Sequence, residues 1–305
     1  MDIKVRIAPS PTGHLHIGTA RTALFNYLYA RKNGGRFVLR MEDTDVQRSD
    51  KRYEMDIMVG LKWLGINWDE GPYRQSNRIH YYSKYITQLL NDGKAFWCYH
   101  TEEELEQERK EQMEKKELPR HVCSYKYESG EKRDKGVIRL AVNENSSRAI
   151  KFDDIIRERI EVVESLLGDI SIAKDYRTPL YNFAVVVDDH LIGITHVIRG
   201  EDHISNTPKQ ILIQEALGFS RPQYAHLPLI LGPDKSKMSK RHGSVSINEY
   251  KEEGYLPEAM LNYMATLGFT LPEDKEIMPI REIVNIFNLG EVHKSGAVFD
   301  IKKLD

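Results

Sequence analysis

The chain has 305 residues, 40% of them hydrophobic and 30% charged, and its 44 Lys and Arg against 46 Asp and Glu leave a formal charge of −2. That composition excludes wholesale disorder and a polybasic nucleic-acid coat, and the length fits about two domains. Only two cysteines occur, Cys98 and Cys123, which excludes a disulfide scaffold; a reducing cytoplasm is the expected setting, with no secretory leader and no membrane span.

Lys4 to Ala8 is expected as a strand, followed by a turn at Pro9-Ser10-Pro11-Thr12-Gly13. From Ile17 to Lys32, Ile17, Ala20, Leu24, Tyr27 and Leu28 recur at helical spacing, and Asn33-Gly34-Gly35 supplies the stop. Arg36 to Met41 alternates Phe37, Leu39 and Met41 as a second strand. Strand, glycine-containing turn, helix and strand in succession form a βαβ unit, which predicts a parallel sheet. Helices are expected near Lys51 to Leu64 and Ser76 to Leu90. Thr101 to Lys116 is almost all charge and opens with Thr101 and Glu104 at capping-box spacing, which predicts a surface helix. Short strands at Val137 to Val142, Ala149 to Phe152 and Arg159 to Val163 give the middle of the chain the look of a separate α+β insertion. Apolar strands are then expected at Asn182 to Val187 and Leu191 to Ile198, joined by a tight turn at Asp188-Asp189. A helix around Asn206 to Leu217 and a strand from Tyr224 to Leu231 follow. After a polar loop from Gly232 to Gly243, helices at Pro257 to Leu267 and Ile280 to Phe287 fill the tail.

Three clusters carry chemistry. The first, Pro11-Thr12-Gly13-His14-Leu15-His16-Ile17-Gly18, lies between a strand end and a helix start. Free N–H groups and partial positive charge at a helix N-terminus suit a phosphate, Gly18 would let a nucleotide approach the backbone, and the histidines can donate to phosphate oxygens. The second, Lys237-Met238-Ser239-Lys240-Arg241, puts three cations in five residues, enough to fold over a polyphosphate and neutralise it as it leaves. Taken singly, the plain alternatives are a surface histidine and a solvated basic loop. The third pairs Cys98-Tyr99-His100 with His121-Val122-Cys123, four donors suited to tetrahedral zinc, with Tyr125 as an alternative fourth ligand. Two buried cysteines without a metal are the other reading. Trp63, Trp68, Trp97 and the tyrosines near Tyr81 read as packing residues rather than base-stacking platforms.

Together these segments resemble class I aminoacyl-tRNA synthetases. Pro9 to Gly18 is similar to their HIGH signature, with Thr19 in place of its last histidine, and Lys237 to Arg241 is similar to KMSKS. Arg6 to Asn26, Tyr181 to Asp189 and His196 to His203 resemble the glutamyl enzymes in particular, and the similarity runs end to end in the family's order. The resemblance implies an α/β fold: a Rossmann-like parallel sheet built from 1–80 and 182–236, an acceptor-binding insertion at 81–181, and the KMSKS loop with a helical stem-contact region at 237–305. It implies activation of L-glutamate with ATP and Mg2+, then transfer to the acceptor end of tRNA-Glu by a monomer. His14, His16, Gly18, Lys237, Met238, Ser239 and Lys240 would bind ATP, with His16, Lys237 and Lys240 stabilising charge during the reaction. Arg6, Ser10, Glu42, Tyr181 and Arg199 would hold glutamate, and zinc would sit on the Cys/His cluster, where some family members use a third cysteine at position 100.

The family normally continues into a helical anticodon-binding domain, so either the chain is cut short or the protein lacks one. Two rivals follow: a shorter paralogue that attaches glutamate to queuosine in tRNA, and a non-catalytic tRNA-binding module. The complete Lys237 to Arg241 loop weighs against both.

Overall fold

The structure is a computed structural model that describes residues 2–45, 47–127, 136–236, 238, 246–272 and 275–304. In chain order, β1 (Lys4–Ile7) leads through the Pro/Gly turn into α1 (Ile17–Lys32), and β2 (Arg36–Met41) returns beside it. α1 shows little amphipathicity because it is covered on both sides: Ile17, Ala20, Ala23, Leu24, Phe25 and Leu28 are all fully buried. One side lies on the sheet. The other lies under the C-terminal helices α8 and α9 described below.

α2 (Lys51–Trp63), β3 (Glu70–Arg74) and α3 (Ile79–Asn91) follow, and β1, β2 and β3 form a parallel sheet in that order. The middle of the chain adds β4 (Ala95–Cys98), α4 (Glu102–Glu114), β5 (Val137–Leu140), β6 (Ala149–Asp154), β7 (Glu158–Val163), β8 (Ile170–Asp175) and β9 (Thr178–Pro179). β4, β5, β8 and β9 make an antiparallel sheet of their own. α4 buries no residue, and its first turn is closed by the Thr101–Glu104 capping box.

Next come α5 (Tyr181–Ile192), β10 (His196–Gly200), α6 (Thr207–Leu217), β11 (Gln223–Leu227) and β12 (Ile230–Leu231). β10 and β11 run parallel, with Arg199 opposite His226. β10 starts against β1, where the Thr195 N–H donates to the Lys4 carbonyl at 2.9 Å, so the two parallel sheets meet edge to edge. The hairpin of β6 and β7 joins the far side of β11 through the pair Asp154 and Tyr224. α7 (Ile247–Glu252), α8 (Pro257–Thr266), α9 (Ile280–Ile286) and β13 (Ala297–Val298), which pairs with β12, complete the chain.

One expectation fails here. Asn182 to Val187 is not a strand and Asp188-Asp189 is not a turn; both lie inside α5, which ends only at Gly193 with φ +79°. Phe183, Ala184, Val186 and Val187 are buried in the second of two core clusters, between α3, α6 and the antiparallel sheet. A helix buried on every side has no polar stripe, so its apolar run looks like an interior strand. The strand expected from Leu191 accordingly starts only at His196. Among the described residues no helix is long and apolar enough to cross a membrane.

Candidate active site

A cavity of about 450 Å³ opens at the carboxyl ends of β1, β2 and β10, where parallel sheets present their loops. Of the residues expected at the site, Arg6, Ser10, His16, Gly18, Glu42, Tyr181, Arg199 and Met238 line it. Lys237, Ser239 and Lys240 lie outside the described residues. His14 stands apart: its half-exposed ring pairs with Asp56 Oδ1 at 2.8 Å and is absent from the cavity wall.

His16 is the N-cap of α1 and its Nδ1 accepts the Gly18 N–H at 3.1 Å. In a neutral ring this leaves the proton on Nε2, a donor. The first turn of α1 has no acidic side chain to compete for its positive end. A methyl group placed on Gly18 would meet only His16 Nδ1, at 3.4 Å, an ordinary contact. The protein's own packing therefore does not demand glycine there.

Arg6 and Glu42 of the wall are backed by an ionic network. Arg6 donates from Nε and Nη2 to the two carboxylate oxygens of Asp189, at 3.2 and 3.3 Å. Arg40, wholly buried, donates to Asp189 at 2.5 Å and to Glu42 Oε1 at 2.9 Å. Asp188 takes Gln75, Arg78 and Tyr82, at 2.9, 2.6 and 2.8 Å. Burial pushes the Asp189 carboxyl up, but Arg6 and Arg40 outweigh it and hold the group below the usual carboxylate range. For Glu42 the balance reverses: burial raises its carboxyl above the ordinary value, and Arg40 offsets only part of that.

Arg199 differs from Arg6 and Arg40 in having no carboxylate partner among the described residues. Nε donates to His226 Nε2 at 3.1 Å and Nη2 to Thr207 Oγ1 at 2.7 Å, both neutral acceptors, while Nη1 is buried with no hydrogen-bond partner among the described residues. Tyr181 donates to or accepts from His203 Nδ1 at 3.1 Å. Enclosure of its hydroxyl end pushes Tyr181 up to about 12, and burial beside Arg199 pushes His203 down to about 4. The cavity thus offers a helix N-terminus, one uncompensated guanidinium and a buried carboxylate within one volume.

Sequence reasoning missed Arg21, which lines the cavity, and the charged residues Arg40, Asp188 and Asp189 behind it. Arg40 is the one charge within the apolar stretch Phe37 to Met41 of β2, and Asp188-Asp189 closes an apolar run. Such breaks were the available signal. Arg21 gave none. It is buried on α1, donates to the carbonyls of Leu267 and Pro228, and is pulled down to about 10 by burial.

Away from the cavity, Cys98 Sγ, His100 Nδ1, His121 Nε2 and Cys123 Sγ lie within 4.8 Å of one another. Three sulfur–nitrogen separations are 3.6 Å, close to the edge of about 3.5 Å that zinc with ordinary bond lengths would set in a tetrahedron. Tyr125 stands beside the cluster, its ring 4.9 Å from that of His100. A hydrogen bond from Cys123, aided by His121 and His100, holds the Cys98 thiol far below its ordinary value. The donor set therefore fits a borderline metal ion, and His121 Nδ1 is tied to Glu108 of α4 at 2.6 Å.

With this geometry in view, residues 2–305 match the family of class I tRNA synthetases (E and Q), catalytic domain. The chain belongs to this family. It is 53% identical to the glutamate–tRNA ligase of Aquifex aeolicus over 99% of the chain and 65% of that protein. It is 50% identical to the one from Natranaerobius thermophilus over 99% of the chain and 64% of the relative. The crystal structure of a glutamate tRNA ligase from Elizabethkingia meningosepticum in complex with its amino acid matches with a TM-score of 0.91 and 38% identity, covering 100% of this chain and 68% of that one. The chain spans just under two thirds of the length of these curated relatives.

Proposed function

We propose that the chain is the catalytic part of a glutamate–tRNA ligase. It joins L-glutamate to ATP and passes the glutamyl group to the 3′-terminal adenosine of tRNA-Glu. In the first step the α-carboxylate oxygen attacks the α-phosphorus in line; the new O–P bond forms as the bond to the bridging oxygen breaks, and pyrophosphate leaves, with Mg2+, when bound, supplying charge neutralisation on the phosphates. In the second, the terminal ribose hydroxyl attacks the glutamyl carbonyl and AMP departs.

The observation that carries this reading is the uncompensated Arg199 guanidinium sharing one cavity with the α1 N-terminus. A buried cation without a counter-ion is costly unless an anion arrives, and an amino acid with a side-chain carboxylate supplies one. Arg6 and Tyr181 flank that carboxylate, Glu42 takes the ammonium, and Ser10 takes a remaining polar group. His16 Nε2 donates to the α-phosphate and Gly18 lets it approach the helix start. Met238 is buried beside the cavity, and its sequence neighbours Lys237, Ser239 and Lys240 would draw off pyrophosphate. Catalysis on this view is positioning plus electrostatics, with no covalent enzyme intermediate.

Zinc would be held by Cys98, His100, His121 and Cys123, with Tyr125 as the alternative fourth ligand. It would supply structural cross-linking between β4 and the segment after α4, where the acceptor end of tRNA is expected to dock. Two free thiols and a translation substrate support a cytoplasmic setting, and the family resemblance a monomer.

ATP–pyrophosphate exchange with glutamate, run with and without tRNA, tests the reading. Exchange that requires tRNA supports it. Exchange without tRNA favours the queuosine paralogue, and tight tRNA binding with no exchange favours a binding module.

A further inference from the structure

The polar chain behind Arg199 reaches through the sheet to a carboxylate that belongs to the middle of the sequence. Asp154, at the end of β6, is fully buried. Its Oδ1 accepts the backbone N–H groups of Ile156 and Arg157 at 3.0 and 2.8 Å, and that of His226 at 3.2 Å. Its Oδ2 lies 2.6 Å from His226 Nδ1. A carboxylate so anchored can only accept, so Nδ1 of His226 carries the ring proton and Nε2 presents a lone pair. That lone pair receives the Arg199 Nε–H. The Nη2 group is taken by Thr207, whose hydroxyl also lies within 3.1 Å of Nε2, with the His203 carbonyl at 3.5 Å, so that Nε and Nη2 both have acceptors.

Two consequences follow. The planar guanidinium is fixed in rotation about its long stem, with Nη1 as its one unpaired corner among the described residues. It is also fixed by neutral acceptors, so its charge is not spent on the protein, in contrast to Arg6, which is paired with the Asp189 carboxylate. Burial and the neighbouring Arg199 cation hold His226 below its ordinary imidazole range, in keeping with a neutral ring.

We propose that Asp154 and His226 are positioning residues for the substrate carboxylate: Asp154 selects the Nδ1–H tautomer of His226, and that tautomer holds Arg199 with Nη1 and its full charge turned to the ligand. The proposal rests on the ligase reading above for the identity of the ligand. It gives β6, which lies far from the cavity in sequence and contributes no residue to its described wall, a share in glutamate recognition.

The decisive substitution is Asp154→Asn. A carboxamide can donate to Nδ1, which moves the ring proton to Nε2 and sets it against the Arg199 Nε–H, donor to donor; the same logic makes a triad Asp-to-Asn change damaging through the wrong tautomer. In tRNA-dependent exchange with the intact protein, the KM for glutamate should rise about tenfold, the cost of a misplaced charged hydrogen bond, while the KM for ATP stays within about twofold. Nitrogen-15 spectra of histidine-labelled protein, with the His226 signals assigned by their loss in His226→Gln, should show the Nδ1–H tautomer in the unmodified chain and Nε2–H in Asp154→Asn. Thr207→Val removes the nearest acceptor at Nη2, and the hydroxyl beside His226 Nε2, but keeps the Asp154–His226 hydrogen bond, and should raise the same KM by a smaller factor. An Nε2–H or doubly protonated ring in the unmodified protein overturns the proposal. So does an unchanged glutamate KM in Asp154→Asn, or in Thr207→Val should the first variant not fold, and so does an equal rise in both KM values, which would mark a packing defect. The spectra need no turnover. An Nδ1–H ring in a protein with no glutamate-dependent exchange would therefore fell the ligase reading, on which the substrate rests, separately from the tautomer.

Discussion

Arg6 and Asp189, one on β1 and the other near the end of α5, form a two-pronged ion pair at 3.2 and 3.3 Å with both side chains almost wholly buried. The same carboxylate takes Arg40, which also donates to Glu42, so Asp189 is shared between two cations beside the cavity.

That sharing makes the two ends of the pair unequal. Asp189→Ala would leave Arg6 without its carboxylate partner and Arg40 with only Glu42 and the more distant Asp188, and should lower unfolding stability by about 3–5 kcal/mol, the usual cost of stranding a buried charge. Arg6→Met leaves Asp189 paired with Arg40 and should cost clearly less. Urea unfolding of both variants measures the difference; equal losses would mean that the network is not organised around Asp189. The Asp189 carboxyl is depressed in the folded state, so its contribution is complete above the unfolded carboxylate range and fades as pH falls through that range toward the folded value.

Glu42 has the opposite sign. Its folded carboxyl is raised by burial, with Arg40, Arg6 and Asp189 as its charged neighbours. A group meant to hold an ammonium must be ionised, so affinity for glutamate should fall as pH drops through a midpoint above the ordinary range for glutamic acid. Measured as KM for glutamate against pH, the curve should flatten in Glu42→Gln, at a uniformly higher KM. A Glu42→Gln curve of unaltered shape would detach this carboxylate from the substrate.

How much of this was legible before the fold was known can be argued from particular residues. The β1–α1–β2 unit was readable because α1 ends on Asn33 and Gly34, whose φ of +62° leaves no doubt about the stop, and because β2 alternates. α5 was not readable, since Phe183 to Val187 is too short a run for periodicity to separate a buried helix from an interior strand. The cost of that error was functional as well as structural: Asp188 and Asp189, taken for a turn, are interior anchors for Arg78, Arg6 and Arg40. Resemblance named Arg6, Glu42 and Arg199, but nothing in a linear motif could show that one is neutralised by the protein and another is not. That distinction comes from pairings across 183 residues in one case and 27 in the other.

The Cys/His cluster makes a separate forecast. Protein purified without a polyhistidine tag should carry close to one zinc per chain, and Cys98→Ser should lose it. Hydrogen exchange in that variant should accelerate across β4, α4 and the stretch to Tyr127, because α4 buries nothing of its own and is tied down through Glu108 to His121 and through Gln112 to Arg120. Protection in α1 should be unaffected. Metal content near zero in the untagged protein would end the zinc assignment.

The two histidines of the Gly13 to Gly18 segment should behave quite differently under substitution. His14 binds Asp56 on α2, and Asp56 also accepts the Leu15 N–H at 2.7 Å and Asn248 at 2.5 Å. Asp56 therefore clasps the segment that delivers His16 to the start of α1, while the ring of His14 is 57% exposed and only adds to that clasp. His14→Ala should leave the exchange rate within about twofold, as a lost surface pair would. On the proposed role, His16→Ala removes a donor to developing phosphate charge and should cut kcat about a hundredfold, with little change in the KM for glutamate. Asp56→Ala falls between them: the segment keeps His16 but loses its tether, so the rate should drop several-fold without any contact between Asp56 and the nucleotide. A His14→Ala variant as damaged as His16→Ala would place His14 on the phosphates after all, and would require the segment to rearrange when ATP binds.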